Sequence, residues 1–402
     1  MVINLSKYNW ILILILSSSE LFPREINLLF LVSILAYYCL IKGGKIPIAI
    51  PGSKFYYALL ILGLSIGIIN VAAEQNTSLN LLKHFMYFLL PLFFWQVGYL
   101  LSLGRYLAQQ RKKNLESIIL IASILSLYDL LRTLTNFLSN SQAISNLYGL
   151  RTEFGRGSYI PIIAIYLILF YAEEVKIKKK LKDILLVLFI TSILIHLSRT
   201  HLIILLVLFF FSGLKRNMKY IISSMFLFLV GMGVLYFYFP NLILDFSDKI
   251  SQSMAEITFA KNSWSYKDII WNWRGYEMYS ALNHFKYSSI MEQMLGGGFG
   301  TVLYVGELAY LVSDLPYLLF LHNGYFTTLL VFGLTGVLLF VLWMINIFKD
   351  SKFVYYKQDA NFIRGLSVVI LLTTYFVNGP LFSVSQATFL LYIGLFSNKL
   401  GE

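Results

Sequence analysis

Long stretches of nearly continuous Leu, Ile, Val and Phe recur from one end of the chain to the other. They constrain the fold more than any other feature. A bilayer core about 30 Å thick takes about 20 apolar residues per helix. Only 13% of the 402 residues are charged, against roughly 25% in an average soluble protein. The sequence therefore predicts an all-α integral membrane protein.

The apolar stretches divide into about twelve predicted spans. These are residues 9–20, 26–41, 55–73, 84–104, 116–138, 159–172, 184–197, 200–213, 220–239, 323–348, 365–377 and 382–397. The first has no small-residue cleavage site before Glu20, so we interpret it as a retained span rather than a signal peptide. The predicted organisation is a transmembrane bundle of about nine spans at 1–239, a large outer loop at 240–322 and C-terminal transmembrane helices at 323–402.

Basic residues indicate which side each loop faces. With the N-terminus inside, the inner segments hold 21 of the 32 Lys and Arg residues and the outer segments hold 8. Loops rich in Lys and Arg stay in the cytoplasm, so both termini are predicted to be cytoplasmic. This topology explains the net charge of +12 without nucleic acid. The single cysteine, Cys39, excludes intrachain disulfides and Cys-based metal sites.

Residues 184–213 form one apolar run with basic residues at both ends. It is too long for a single helix, and both ends should be cytoplasmic, so the run must turn back at Ser198-Arg199-Thr200. Each arm would be only ~20 Å long, which predicts that Arg199 lies below the outer surface in a crevice open to that side. Arg199 is then either a helix cap that binds loop carbonyls or a fixed cation for an anionic ligand.

Other ionisable residues also fall at or near the outer side, namely Lys83, His84, Arg132, Arg151, Arg156, Arg274 and His322. Each has a structural alternative. Arg132 follows Asp129 by three residues, which favours an ion pair on one helix face. The others could be interface anchors, solvated loop residues or, at His322-Asn323, a helix cap.

The functional alternative is an anion site. Several arginines around one crevice suit a diphosphate, because one guanidinium group can donate two parallel hydrogen bonds to phosphate oxygens. A histidine beside them could take a proton from a nucleophile near neutral pH. We find no acidic cluster resembling a metal site and no glycine loop of the P-loop kind, so no cofactor is expected.

The outer loop is the only long stretch of ordinary polarity. Residues 266–287 mix aromatic and charged residues, which predicts a helix lying at the membrane interface. The glycine-rich run at 296–300 then breaks any helix. Beyond it, Gly333 and Gly336 on the tenth span would permit close helix packing.

From 198 to 336 the chain resembles the bacterial O-antigen polymerase and O-antigen ligase superfamily. His322-Asn323, nine residues, Gly333, two residues and Gly336 fit the family pattern of His, Asn/Ser/Gln, nine residues, Gly, two residues and Gly/Thr/Tyr. Ser198-Arg199 resembles the Ser-Arg turn of the family, and Arg274 its loop arginine. These three motifs cover about a third of the chain.

The resemblance implies a glycosyltransferase of the membrane-embedded C type, which moves glycans from undecaprenyl diphosphate at the periplasmic face of the inner membrane without a metal. Arg199 and Arg274 would hold the leaving diphosphate, and His322 would position or deprotonate the acceptor hydroxyl. Further substrate contacts are expected from Arg151, Arg156, Asn323, Lys83 and His84. The expected partners are the lipid-linked oligosaccharide, membrane lipid and a chain-length regulator, with no nucleic acid.

Polymerase is the favoured activity, and ligation to lipid A-core is the alternative. Many polymerases carry Arg, ten residues and Gly in two periplasmic loops, whereas no glycine follows Arg151, Arg156 or Arg274 at that spacing. This departure favours a ligase, while the Gly-Gly-Gly-Phe-Gly run ahead of His-Asn-Gly-Tyr favours a polymerase. A transporter or flippase is less consistent, because it would show repeated halves and ionisable residues near the midplane.

Overall fold

The computed structural model describes residues 8–41, 52–74, 76–103, 107–139, 157–196, 198–212, 218–238, 240–241, 243–248, 264–306, 310 and 316–397. The described chain is mainly helical. Its elements are α1 (Trp10–Leu21), α2 (Arg24–Ile41), α3 (Lys54–Ala72), α4 (Ser78–Ser102), α5 (Leu107–Ser139), α6 (Ile160–Phe170), α7 (Ala172–Val175), α8 (Lys179–His196), α9 (Arg199–Phe211), α10 (Met218–Tyr238), α11 (Tyr266–Trp271), α12 (Trp273–Tyr287), α13 (Ile290–Leu295), β1 (Leu303–Tyr304), β2 (Tyr317–Leu318), α14 (Gly324–Asp350), α15 (Lys357–Phe376) and α16 (Val384–Phe396).

A helix stands at the position of each predicted span in the described part of the chain. Five helical segments there are long and apolar enough to cross a membrane: Arg24–Ile41, Lys54–Ala72, Ser78–Ser102, Ala108–Asn136 and Gly324–Phe353. Shorter apolar helices accompany them, including α1, α6, α9 and α16. The chain is therefore a helical, multi-pass membrane protein, and the predicted total of twelve crossings stays a prediction.

The predicted break in the apolar run at 184–213 is present. α8 ends at His196, Ser198 has extended backbone angles, and α9 begins at Arg199. The predicted interface helix at 266–287 is instead two helices, α11 and α12. They separate at Asn272, whose side-chain Oδ1 accepts a hydrogen bond from the Gly275 amide at 2.9 Å.

The chain divides into two compact units that do not follow chain order. The first unit comprises Met1–Leu21 and Leu101–Ser253, and the second comprises Phe22–Leu100 and Met254–Glu402. In the first unit, α5 packs against α1, α6 and α8. Every residue from Ile160 to Leu169 of α6 is buried, as expected for a helix that is apolar on all sides.

The second unit is built around α14, which packs against α3, α13 and α15. α14 is broken at Gly333, whose φ of 62° and ψ of −163° are not helical. The break leaves the carbonyls of Leu330 and Val331 without helical donors. The amides of Gly297 and Gly298 fill those places at 3.1 and 2.9 Å.

The glycine-rich run at 296–300 is thus fixed to the helices around it. The Phe299 amide donates to the Gly63 carbonyl of α3 at 2.8 Å, and the Phe299 side chain lies among Phe88 and Phe332. After the run, β1 pairs antiparallel with β2, with Leu303 opposite Leu318. This hairpin leads the chain back to the start of α14, where α12 also packs.

We expect Gly333→Ala to destabilise the protein. A Cβ there would lie 2.5 Å from the Met294 carbonyl atoms, and the backbone conformation alone costs an L-residue about 1–3 kcal/mol. Thermal unfolding of the purified protein in detergent should show a lower midpoint. Gly233→Ala is the matched control, since a Cβ there meets nothing within 4 Å. Equal midpoints for the two variants would contradict the role of the break.

The predicted topology can be tested at two exposed positions. In a Cys39→Ser background, Tyr304→Cys in β1 should react with a membrane-impermeant thiol reagent in intact cells, and Lys352→Cys after α14 should react only after lysis. The expectation follows from the distribution of basic residues. Labelling of position 352 in intact cells would reverse the assignment of sides.

Candidate functional site

Arg274 and His322, two of the three residues predicted to be catalytic, lie in the second unit. Arg274 is in the first turn of α12 and its Nη1 donates to the Phe376 carbonyl at the end of α15, at 3.3 Å. The next residue after Phe376, Val377, accepts from the Gly324 amide at the start of α14. His322 immediately precedes that start, so the fold brings Arg274 and His322 to the same end of α14.

A glutamate joins them. Glu277 lies one turn after Arg274 on α12 and is 1% exposed. Its carboxylate oxygens lie 2.9 and 3.1 Å from His322 Nδ1, and Oε2 accepts from the His322 backbone amide at 3.0 Å. Trp273 Nε1 donates to Oε1 at 2.5 Å. These N–H donors compensate the burial of the carboxylate.

This arrangement defines the tautomer of the imidazole. An ionised carboxylate only accepts hydrogen bonds, so His322 Nδ1 carries the proton and Nε2 carries a lone pair when the ring is neutral. The His322 side chain is 31% exposed, and Nε2 has no hydrogen-bond partner within the described chain. A ring held at Nδ1 and open at Nε2 can accept a proton from a hydroxyl group.

Asn323 is the N-cap of α14, as the sequence predicted. Its Oδ1 accepts from the amides of Tyr325 and Phe326 at 3.0 and 3.4 Å, and its Nδ2 lies 3.4 Å from Met278 Sδ. The residue is 5% exposed. The side chain therefore fixes the helix start on which His322 depends.

His84 and Lys83 are adjacent on α4 but differ in environment. His84 is fully buried, its Nδ1 accepts from the Gly300 amide at 2.8 Å, and its Nε2 lies 3.0 Å from the Leu319 carbonyl. Both nitrogens thus bind main chain, and His84 joins α4 to the glycine run and to the segment before His322. Lys83 is exposed.

Arg199 lies in the first unit, at the start of α9, and is half-buried. Several polar side chains lie near this helix junction. Asp129 Oδ2 accepts from Ser192 Oγ at 2.7 Å and lies 3.2 Å from His196 Nε2. His201 is buried with its ring edge-on to that of His196, at a centroid separation of 6.2 Å.

A second carboxylate belongs to this polar group. Glu20, at the end of α1, accepts from Ser158 Oγ at 2.9 Å. Ser192 and His196, which bind the Asp129 carboxylate, are both on α8. The ion pair between Asp129 and Arg132 stays a prediction. Arg151 and Arg156 lie outside the described residues.

Sequence reasoning missed Glu277 and the histidines of the first unit. Glu277 is the only acidic residue of α12 and follows Arg274 by three positions, a spacing that places both on neighbouring parts of the helix surface. His196 and His201 flank the predicted turn at Arg199. The positions of these three residues can be read from the sequence, but the residues that they contact elsewhere in the fold cannot.

The described helices and this site define a multi-pass membrane protein with a histidine–carboxylate pair at the start of a membrane helix. Residues 184–341 match the family model of the O-antigen ligase domain, Wzy_C. This segment is a domain of the O-antigen polymerase and ligase superfamily, which confirms the resemblance seen in the sequence and implies a glycosyltransferase-like enzyme. It contains Arg199, Arg274, Glu277 and His322. No curated protein and no solved structure matches the chain.

Proposed function

We propose that this protein is an O-antigen polymerase of the inner membrane. It would transfer glycan from undecaprenyl diphosphate to a sugar hydroxyl of another lipid-linked repeat unit at the periplasmic face. The observation that carries the proposal is the Glu277–His322 pair, with Arg274 one helical turn from Glu277 on α12. Transfer to lipid A-core, as in a ligase, is the alternative that the same family covers.

The chemistry needs a base and a stabilised leaving group. The acceptor hydroxyl forms a bond to C1 of the donor sugar and passes its proton to His322 Nε2. The bond between C1 and the diphosphate oxygen breaks, and the diphosphate leaves with the electron pair. Arg274 would bind that growing negative charge without a metal. Glu277 would hold the imidazole in the tautomer that exposes the Nε2 lone pair.

Arg199 is proposed as a further cation for the diphosphate. Support comes from the family's Ser-Arg turn and from the match that includes this residue. Its half-buried position at a break between two apolar helices agrees with the predicted crevice. Arg151 and Arg156 remain predicted contacts with substrate from the sequence alone.

Deleting the gene tests the activity. Loss of a polymerase should collapse the lipopolysaccharide ladder to a single repeat unit, and loss of a ligase should remove every attached chain. Purified protein in vesicles with the lipid-linked oligosaccharide should elongate it, at a rate that a chelator does not change. His322→Ala should lower turnover by ~10²–10⁴-fold, the usual contribution of a positioned base. An unaltered ladder after deletion would refute both activities.

Glu277 is a positioning residue in this scheme, so its effect should depend on His322. Glu277→Gln replaces the carboxylate with an amide, whose NH2 group cannot accept from the N–H donors of Trp273 and His322. We expect turnover to fall at least about tenfold, with little change in acceptor KM. The double variant with His322→Ala should be no slower than His322→Ala alone, because residues that act as one unit are not additive.

Glu292→Gln is the matched control for that cycle. Glu292 pairs with His284 at 3.1 Å on the same outer segment, and the scheme gives it no role. Its activity should stay near that of the unmodified protein. A double variant that is slower than His322→Ala by the full Glu277→Gln factor would show that Glu277 acts independently of His322.

A further inference from the structure

Arg24, the first residue of α2, rests on a stack of aromatic rings in the second unit. Its Cζ is 4.8 Å from the centroid of the Tyr87 ring and 5.8 Å from that of Phe320. The rings of Tyr87 and Phe320 are 4.8 Å apart, and Phe320 also packs on Phe382 at 5.4 Å. A guanidinium stacked on aromatic carbon still presents N–H donors at its edge.

Within the described chain, Arg24 has a hydroxyl rather than a carboxylate as its polar partner, since it hydrogen-bonds Tyr87. The Tyr87 hydroxyl donates in turn to Glu25 at 3.1 Å, and no ion pair joins Arg24 to any described residue. The same holds for Lys83, which lies one turn before Tyr87 on the same side of α4. Two cations that form no ion pair with a described residue therefore lie beside one aromatic stack.

Phe320 of this stack lies two residues before His322. Phe320 and His322 are both half-exposed, whereas Leu321 between them and Asn323 after them are buried. Both side chains are thus partly open to the surface. Their Cα atoms are at most about 7 Å apart, so the ring on which Arg24 rests and the proposed base belong to one short segment.

We propose that Arg24, with Lys83, binds the diphosphate of a polyprenyl-linked glycan. This inference rests on the proposed function and extends it, since no motif of the sequence indicated Arg24. The aromatic rings hold the guanidinium in place before the ligand arrives, which reduces the entropy lost on binding. Phosphates of ordinary bilayer lipids offer the same oxygens, so the experiment must separate the two sources.

The test uses the full chain in nanodiscs of phosphatidylcholine, which carries no net charge, with farnesyl diphosphate as the probe. Arg24→Ala should weaken probe binding by about tenfold, the effect of losing a charge-assisted hydrogen bond. Arg24→Lys should be intermediate, because it keeps the charge and loses the fork. Lys286→Ala is the control, since Lys286 is likewise a cation beside an aromatic ring, 5.5 Å from the centroid of Tyr287.

Unchanged affinity in Arg24→Ala, at equal yield and with a single gel-filtration peak, would overturn the inference. A loss of probe affinity in Arg24→Ala that occurs only in discs containing phosphatidylglycerol would also overturn the inference, because Arg24 would then bind bilayer headgroups. His322→Ala separates this inference from the proposed function, since it should bind the probe normally and fail in transfer. Failure of the unmodified protein to bind the probe would also overturn the inference, whereas the lipopolysaccharide ladder tests the proposed function separately.

Discussion

The site at Glu277 and His322 depends on the contact between the glycine-rich run and the broken helix α14. The break at Gly333 frees the carbonyls of Leu330 and Val331, which accept hydrogen bonds from the amides of Gly297 and Gly298. The contact is therefore made by main-chain atoms alone. Buried carbonyls without donors would be costly in this apolar setting. The pairing therefore fixes where the outer segment meets the membrane helices. The β-hairpin and His322 take their positions from that point.

Around this anchor, polar groups at the outer end of α14 are placed by buried main-chain contacts. His84 binds the Gly300 amide and the Leu319 carbonyl, Asn323 caps the helix, and Glu277 binds both the side chain and the amide of His322. Under them, Ala281 packs with Leu303, Leu318 and Leu321 in a small apolar core. His322 is thus held through its backbone and its Nδ1 while Nε2 stays accessible, which is the arrangement a base requires.

Features set by neighbouring residues were predicted from the sequence, whereas contacts between distant residues were not. The helix break ahead of Arg199, the cap at Asn323 and the helix break in the glycine run were predicted correctly, because each follows from local chemistry within a few residues. The single interface helix at 266–287 was wrong, because Asn272 binds the Gly275 amide and starts a new helix there. Glu277 was missed, since an acid on an aromatic-rich helix shows nothing of a partner 45 residues away.

The sequence by itself determined that this chain is a helical membrane protein, which side of the membrane its loops should face, and which superfamily one of its segments resembles. Those properties depend on the number of apolar residues in a row, on the positions of Lys and Arg, and on short motifs. Only the tertiary structure decided that Glu277 binds His322, that both ring nitrogens of His84 bind main chain, and that Arg24 rests on Tyr87 with no ion pair to any described residue. Such pairings join residues far apart in the chain, and only the packing of one helix on another brings them within hydrogen-bond distance.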